Sequence, residues 1–212
     1  RKNKLDYMVQ HDPHIHGLCW PCAMLYTSDE IPVGFLMPSA AGVELALTVF
    51  HPGRGQRRII ERGWTRKSLA QIAANIASIF AQMHSHDILM GDINPRNFMV
   101  AQDCSVSFVD CDSYQVGAFG CPVGTVRYTP PGRHREMKRL GRVDFGFTRT
   151  IQDEQYSLAV LLFEILTLGR APYESRNNNN QDVVDAIIAG TFPYPYRSDD
   201  EDQPANSKLN PP

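Results

Sequence analysis

No stretch of this sequence is apolar for long enough to cross a bilayer. The longest strongly apolar run, Leu158 to Leu168, contains Glu164 and falls far short of the ~20 residues that a membrane-spanning helix needs. No apolar h-region follows the basic residues of Arg1 to Gln10, so no secretory signal is expected. Neither sign of charge dominates: 21 Lys+Arg against 23 Asp+Glu leave a formal net charge of −2. Nothing global therefore calls for nucleic acid or an acidic membrane as partner. The five cysteines (Cys19, Cys22, Cys104, Cys111, Cys121) are odd in number and lack framework spacing, which favours a reducing, cytoplasmic setting. There is no internal repeat. Hydrophobic residues at 42% and charged residues at 21% exclude a wholly disordered, collagenous or membrane-embedded chain. The 212 residues suffice for one large or two small domains. The first residue is not Met and sits in what reads as structured sequence, so the chain is expected to be a piece of a longer protein.

What is present reads as a mixture of helices and short strands. Residues 1–10 fit the end of an amphipathic helix (Leu5, Met8, Val9) stopped by His11-Asp12-Pro13. Short strands are expected at about Ala23–Thr27 and Val33–Met37, joined by the polar turn Ser28-Asp29-Glu30. Pro38 to Gly42 suggests a hinge. Val43, Leu45, Leu47 and Val49 alternate, which fits a strand or a short helix. The Arg-rich stretch Pro52–Lys67 reads as an exposed loop or helix start. From about Lys67 to His84, Leu69, Ile72, Ile76, Ile79, Phe80 and Met83 recur at three- and four-residue steps, the clearest helix in the chain. Phe98–Val100 and Val106–Val109 flank the turn Gln102–Ser105 as a hairpin. After Pro130-Pro131-Gly132 comes a basic segment, Arg133 to Arg142, then an almost wholly apolar helix, Tyr156 to Leu168. A modest helix near Asp182–Ala189 follows the Asn177–Asn180 loop, and a Pro-rich, acidic tail (Asp199 to Asp202) ends the chain.

Two small clusters invite a metal or redox reading. Cys19-Trp20-Pro21-Cys22 has C-x-x-C spacing, but a strand-like stretch follows it rather than the helix that would lower a thiol pKa. Buried or edge thiols are the expectation. His11, His14 and His16 lack a fourth ligand and, with Asp12 and Pro13 between them, read as a polar turn.

The informative segment is Met90-Gly91-Asp92-Ile93-Asn94-Pro95-Arg96-Asn97-Phe98, followed by Phe108-Val109-Asp110-Cys111-Asp112. A D-x-x-x-x-N loop holds a carboxylate and an amide about one turn apart, and the hairpin after it returns a second carboxylate beside them. Mg²⁺ prefers oxygen ligands and commonly binds one or two carboxylates plus substrate phosphates. Asp92 is then left to orient a hydroxyl and accept its proton, the division of labour in phosphoryl transfer.

In these residues the sequence resembles the protein kinase superfamily. Asp92 and Asn97 match the catalytic-loop pattern and Asp110 the Asp of D-F-G. Gly124-Thr125-Val126-Arg127-Tyr128-Thr129-Pro130-Pro131 resembles the stretch that closes the activation segment. Glu154 to Glu164 resembles the D-x-W-S-L-G-V-x-x-x-E central helix, followed by Ala171-Pro172-Tyr173. Val33–Ser39 resembles the last N-lobe strand and hinge, with Leu36 at the gatekeeper position. The wording G-D-I-N-P-R-N-F is similar to a bacterial kinase-like family often linked to phosphatase or helix-hairpin-helix modules.

The resemblance implies an α+β fold in which residues 1–39 are the end of an N-lobe and residues 40–212 a mostly helical C-lobe. It implies ATP and Mg²⁺ as cofactors and a protein Ser/Thr hydroxyl as acceptor, Thr125 and its G-T stretch matching that class. Asp92 would be the base and Asn94 would stand where kinases carry a Lys on the transferred phosphate. Asn97 and Asp110 would ligate the metal, and Leu36, Met37, Ser39 and Met99 would meet the nucleotide. A protein substrate and a linked phosphatase or other regulatory module are the implied partners; nucleic acid and membrane are not. Arg127, Arg133, Arg135 and Lys138 would favour an acidic substrate, or form a solvated loop.

Departures from the pattern set the alternatives. No glycine-rich loop precedes the hinge, and no strand Lys is present, since Lys2 and Lys4 fall at the next helix and Asn3 lies where that helix should offer its Glu. The first N-lobe strands are thus expected either upstream or not at all, and the piece alone is expected to be inactive or very weak. Met90-Gly91 replaces His-Arg before the Asp, so ordering by an activation-loop phosphate is not expected. Gly132 replaces an anchoring Glu. Asp112 is read as a solvated turn residue in preference to a further metal ligand. A pseudokinase or scaffold is the rival reading, and a small-molecule phosphotransferase of the aminoglycoside-kinase type a third.

Overall fold

The computed structural model describes residues 1–51, 54–173 and 180–192. The amphipathic run at the start forms α1 (Lys2–Gln10), with Leu5 and Met8 buried. Strands β1 (Ala23–Tyr26) and β2 (Pro32–Leu36) pair antiparallel around the expected turn. The alternating Val43–Val49 stretch resolves into a two-residue strand, β3 (Val43–Glu44), and a single 3-10 turn over Leu45–Leu47. The Arg-rich segment contains a short helix, α2 (Gly55–Glu61).

The long amphipathic stripe folds as α3 (Arg66–Ser85) and starts at a capping box. Thr65 accepts from the Ser68 backbone N–H, and the Ser68 hydroxyl accepts from the Thr65 N–H. Strands β4 (Phe98–Val100) and β5 (Val106–Phe108) form the expected hairpin, and β3 adds antiparallel to β4, giving the order β3-β4-β5.

The basic segment is not an open loop but α4 (Pro131–Leu140), with Pro in its first turn and Gly141 at φ +62° just past its end. Proline loses no helical hydrogen bond in the first turn, and glycine alone takes the left-handed stop at no steric cost. The apolar helix begins five residues earlier than its apolar stripe, as α5 (Ile151–Leu166), at a second capping box between Thr150 and Asp153. Helix α6 (Asn180–Ala189) follows. The Asn177–Asn179 part of the loop before it and the Pro-rich, acidic tail with Asp199–Asp202 lie outside the described residues. Among the described residues no helix is long and apolar enough to cross a membrane.

An aromatic knot ties α3 to the hairpin. Phe98 and Phe108 meet edge to face at 4.8 Å between centroids, and Phe80 of α3 lies 5.0 Å from Phe108. All three are fully buried. The same strand is stitched to residues 17–19, because Phe108 N–H donates to the Gly17 carbonyl (2.7 Å) and Cys19 N–H to the Phe108 carbonyl (2.9 Å). Strand β5, held on both of its sides, therefore fixes the chain that leads into residues 109–112. Phe108→Ala should lower the unfolding free energy by about 3–5 kcal/mol, read as a shift of the urea midpoint at unchanged slope. A loss below about 1 kcal/mol would mean the knot is not what holds the hairpin.

Candidate functional site

The loop before β4 is built from its own backbone and side chains. Gly91 takes φ +76°, and buried Ile93 anchors the loop between Asp92 and Asn94. Asn94 caps the 3-10 turn Pro95–Asn97 by accepting from Arg96 N–H at 3.0 Å. The Asn97 amide donates to the Asp92 carbonyl at 3.1 Å, closing the loop on itself. That bond uses the amide nitrogen and leaves Oδ1 as the oxygen available to a ligand. Val109 N–H donates to the Asn97 carbonyl (3.0 Å), which delivers Asp110 beside the loop. Asp110 sits in the left-handed region at φ +62°, where its carbonyl accepts from Ser113 Oγ at 2.9 Å. Asp and Asn are the non-glycine residues that enter this region most readily.

Negative charge gathers here. Partial burial, then Asp112 and Asp92 nearby, push the Asp110 carboxyl up from its ordinary range. Asp112 is not the solvated turn residue expected: its carboxylate is largely shielded and ion-pairs with Arg1, because the N-terminal end of α1 packs over this turn. Lys4 on α1 is only 7% exposed. Burial pulls its amine down, partly offset by the nearby Cys121, Asp112 and Asp110. Among the described residues no three His, Cys, Asp or Glu side chains could hold a metal by themselves. An amide oxygen with one or two carboxylates is instead the partial shell that Mg²⁺ completes with phosphate oxygens and water.

Two further groups hold the loop. Glu154 of α5, 2% exposed, accepts from Gly91 N–H at 2.8 Å and lies 2.8 Å from His84 Nε2 at the end of α3. The Thr125 hydroxyl donates to Asp92 Oδ1 at 2.8 Å, and the Asn94 amide reaches Thr125 Oγ1 at 3.5 Å. Both ends of the Asn94 side chain thus serve the loop and its neighbour. Thr125 is fixed from below, since Tyr128 and Arg127 both bind the buried Glu164 carboxylate (Tyr128 OH at 2.5 Å, Arg127 Nη1 at 3.1 Å). Glu154 stands in the motif quoted for the central helix, but its bond to Gly91 spans 63 residues, which spacing along the chain does not encode.

The residues expected to meet a nucleotide lie apart from these contacts. Leu36, Met37 and Ser39 are exposed at and just beyond the end of β2, where Cys22 N–H donates to the Leu36 carbonyl at 2.8 Å. Met99 is half-buried between fully buried Phe98 and Val100, so it faces away from the core, and it pairs with Glu44. A cleft of about 940 Å³ opens beside the loop, lined by Glu44, Leu47, Asn94, Arg96 and Thr125 among others.

The basic residues expected to meet an acidic partner are already committed. Arg127 binds Glu164, Arg133 binds Asp153 and Glu136, Arg135 donates to the Ile188 carbonyl, and Lys138 pairs with Asp185. Folding as α4 turns Arg133 onto α5 and Arg135 and Lys138 onto α6, while Arg127 reaches α5 from the 3-10 turn before it. The other clusters have local roles. Cys19 is buried, with its thiol pushed up by burial, and the exposed Cys22 lies beside β1. His11 stacks on Tyr7 at 4.0 Å and His14 lies 3.4 Å from Asp12.

No protein-family model matches the chain. Protein kinase YegI of Escherichia coli O157:H7 is 34% identical over 194 residues, 88% of this chain and 29% of that protein. YegI of Escherichia coli strain K12 is 33% identical over 199 residues, with the same shares. Serine/threonine-protein kinase DCLK2 of Mus musculus is 28% identical over 142 residues, 63% of this chain and 17% of that protein. The chain thus spans less than a third of the length of these curated relatives. It belongs to the protein kinase superfamily.

Two expectations follow from the site. Glu154→Ala should expose Gly91 N–H and His84 to an unpartnered pocket and cost about 3 kcal/mol, seen as a lower thermal midpoint; an unchanged midpoint would remove Glu154 from the account. Asp110→Asn should raise the midpoint of the metal-free protein at pH 7. A carboxyl raised on folding is penalised when ionised, so the penalty is full above its folded value and vanishes below the ordinary aspartate range. The gain from Asn should therefore shrink as pH falls through that interval; a gain that grows on acidification would contradict the sign.

Proposed function

We propose that this chain is the larger part of a kinase domain that transfers phosphate from ATP to a Ser or Thr hydroxyl of a protein, with Mg²⁺. The observation that carries this reading is the convergence of Asp92, Asn97 and Asp110 around one closed loop, with Thr125 bonded to the Asp92 carboxylate. On this reading residues 1–39 would form the end of one lobe and the described residues from 40 onward would belong to the other, with the hinge at Pro38 to Gly42. Asn97 Oδ1 and the Asp110 carboxylate would hold Mg²⁺, and Leu36, Met37, Ser39 and Met99 would border the adenine. The donor set fits: oxygen ligands only, and an Asp110 carboxyl raised by burial and like charge, which a cation would relieve. Mg²⁺ when bound neutralises charge on the phosphates.

Asp92 would accept the proton of the attacking hydroxyl, with the Thr125 hydroxyl on its carboxylate and the Asn97 amide on its backbone carbonyl. Asn94, which stands where kinases carry a Lys on the transferred phosphate, caps its own loop and reaches Thr125, and would bring no charge to that phosphate. The acceptor lies in the cleft beside Asn94 and Thr125, and a phosphatase or another regulatory module linked in the longer protein would act on the product or the kinase.

The commitment of Asn94 to its own loop favours one second reading, a pseudokinase that binds nucleotide or protein without turnover. In the full-length protein, Asp92→Asn should cut transfer from labelled ATP by about 10²–10⁴-fold and leave the thermal shift with Mg-ATP in place. Asp110→Asn should abolish that shift. Full turnover in Asp92→Asn would overturn the assignment of the base. A wild-type shift without turnover would decide for the pseudokinase.

A further inference from the structure

Arg149 belongs to none of the motifs above, yet it is one of the few buried charged side chains, at 7% exposure. It lies just ahead of the Thr150 cap of α5. Its guanidinium donates to the Cys121 carbonyl at 2.8 Å and to the Val123 carbonyl at 2.5 Å, and it stacks 4.7 Å from the centroid of Phe147. Among the described residues it pairs with no carboxylate. A buried cation without an anion is expensive, and among the described residues two backbone oxygens and a ring face offset it.

The position of this cation is set from the catalytic loop. Gln115 grips the Arg149 backbone from both sides: Arg149 N–H donates to Gln115 Oε1, and Gln115 Nε2 donates to the Arg149 carbonyl, both at 2.9 Å. The Gln115 backbone in turn exchanges two hydrogen bonds with Leu89, at 3.0 and 2.8 Å, and Leu89 leads directly into Met90-Gly91-Asp92. The opposite wall is as tight. A Cβ on Gly91 would lie 2.6 Å from Cys121 Cβ and 3.4 Å from Arg149 Cδ, and one on Gly124 would lie 2.8 Å from Arg149 Nη2. Residues 121–124 are therefore caught between the Gly91 backbone and the Arg149 side chain, and the next residue is Thr125, whose hydroxyl binds Asp92.

We infer that Arg149 is a positioning residue: it locks residues 121–124 onto the catalytic loop, and so sets Thr125 and Asp92, with no phosphate on the segment. The inference rests on the reading of Asp92 as the proton acceptor for its kinetic consequence, but the lock itself is a property of the fold. It gives glycine at position 91 a physical reason, since any side chain there would displace Cys121.

The test combines backbone hydrogen exchange with kinetics on the full-length protein carrying Arg149→Met or Arg149→Lys. In Arg149→Met, amides of residues 121–125 should exchange at least about tenfold faster, while those of α3 keep their protection. The kcat for peptide phosphorylation should fall at least about tenfold with KM for ATP within about twofold. Arg149→Lys, which keeps the charge and one donor direction, should recover part of both, and its exchange decides the matter if the Met variant fails to fold. Phosphatase treatment of the wild type should change turnover by less than about twofold. Unchanged exchange at 121–125, equal loosening of α3, or dependence of turnover on a segment phosphate would each overturn the inference. Faster exchange at 121–125 in a protein that transfers no phosphate would uphold the lock and sink the kinase reading instead.

Discussion

The buried carboxylate of Glu154 is where three distant stretches of chain are forced to agree. It rises from the first turn of α5, meets His84 at the end of α3, and takes the N–H of Gly91 immediately before Asp92. A carboxylate at this depth is tolerable only with good hydrogen-bond partners, so the two helices and the loop cannot shift independently without stranding it. The two capping boxes set where those helices begin, and the aromatic knot sets how α3 meets the hairpin. The loop bearing Asp92 is thereby suspended between a helix pair and a small sheet, and its geometry follows from elements far from it in sequence.

On this frame the charge distribution acquires a meaning. Asp92, Asp110 and Asp112 lie close together, and only Asp112 has a direct ionic partner, Arg1, among the described contacts. Lys4 stands near but is itself weakened by burial. The protein thus holds like charges together at a site that a divalent cation would neutralise. This local electrostatics supports the Mg²⁺ role proposed above for Asn97 and Asp110.

The parts that were legible in sequence are those encoded locally. Leu69 to Met83 announced α3 by period, the run around Phe98 and Phe108 announced a hairpin, and Asp92, Asn97 and Asp110 stood out through order and spacing. Helix α4 is hard to read from sequence because its residues are mostly charged and carry no apolar stripe; Pro131 and Gly141 are the available signal. The partners of Arg127, Arg133, Arg135 and Lys138 were hidden for another reason. Ion pairs such as Arg127–Glu164 join residues 37 apart, and nothing in periodicity says which exposed-looking cation is already spent. Arg149 was invisible on the same ground, since its acceptors are backbone carbonyls that any residue supplies.

The central claim is that Asn97 and Asp110 share one divalent cation beside the Asp92 carboxylate. Its most direct test is anomalous diffraction from crystals of the full-length protein grown with Mn²⁺ and a non-hydrolysable ATP analogue, Mn²⁺ standing in for Mg²⁺. The account predicts a single strong peak within bonding distance of Asn97 Oδ1 and an Asp110 carboxylate oxygen, with the nucleotide phosphates completing the shell. A peak bound elsewhere, or none at saturating Mn²⁺ and nucleotide, would contradict it.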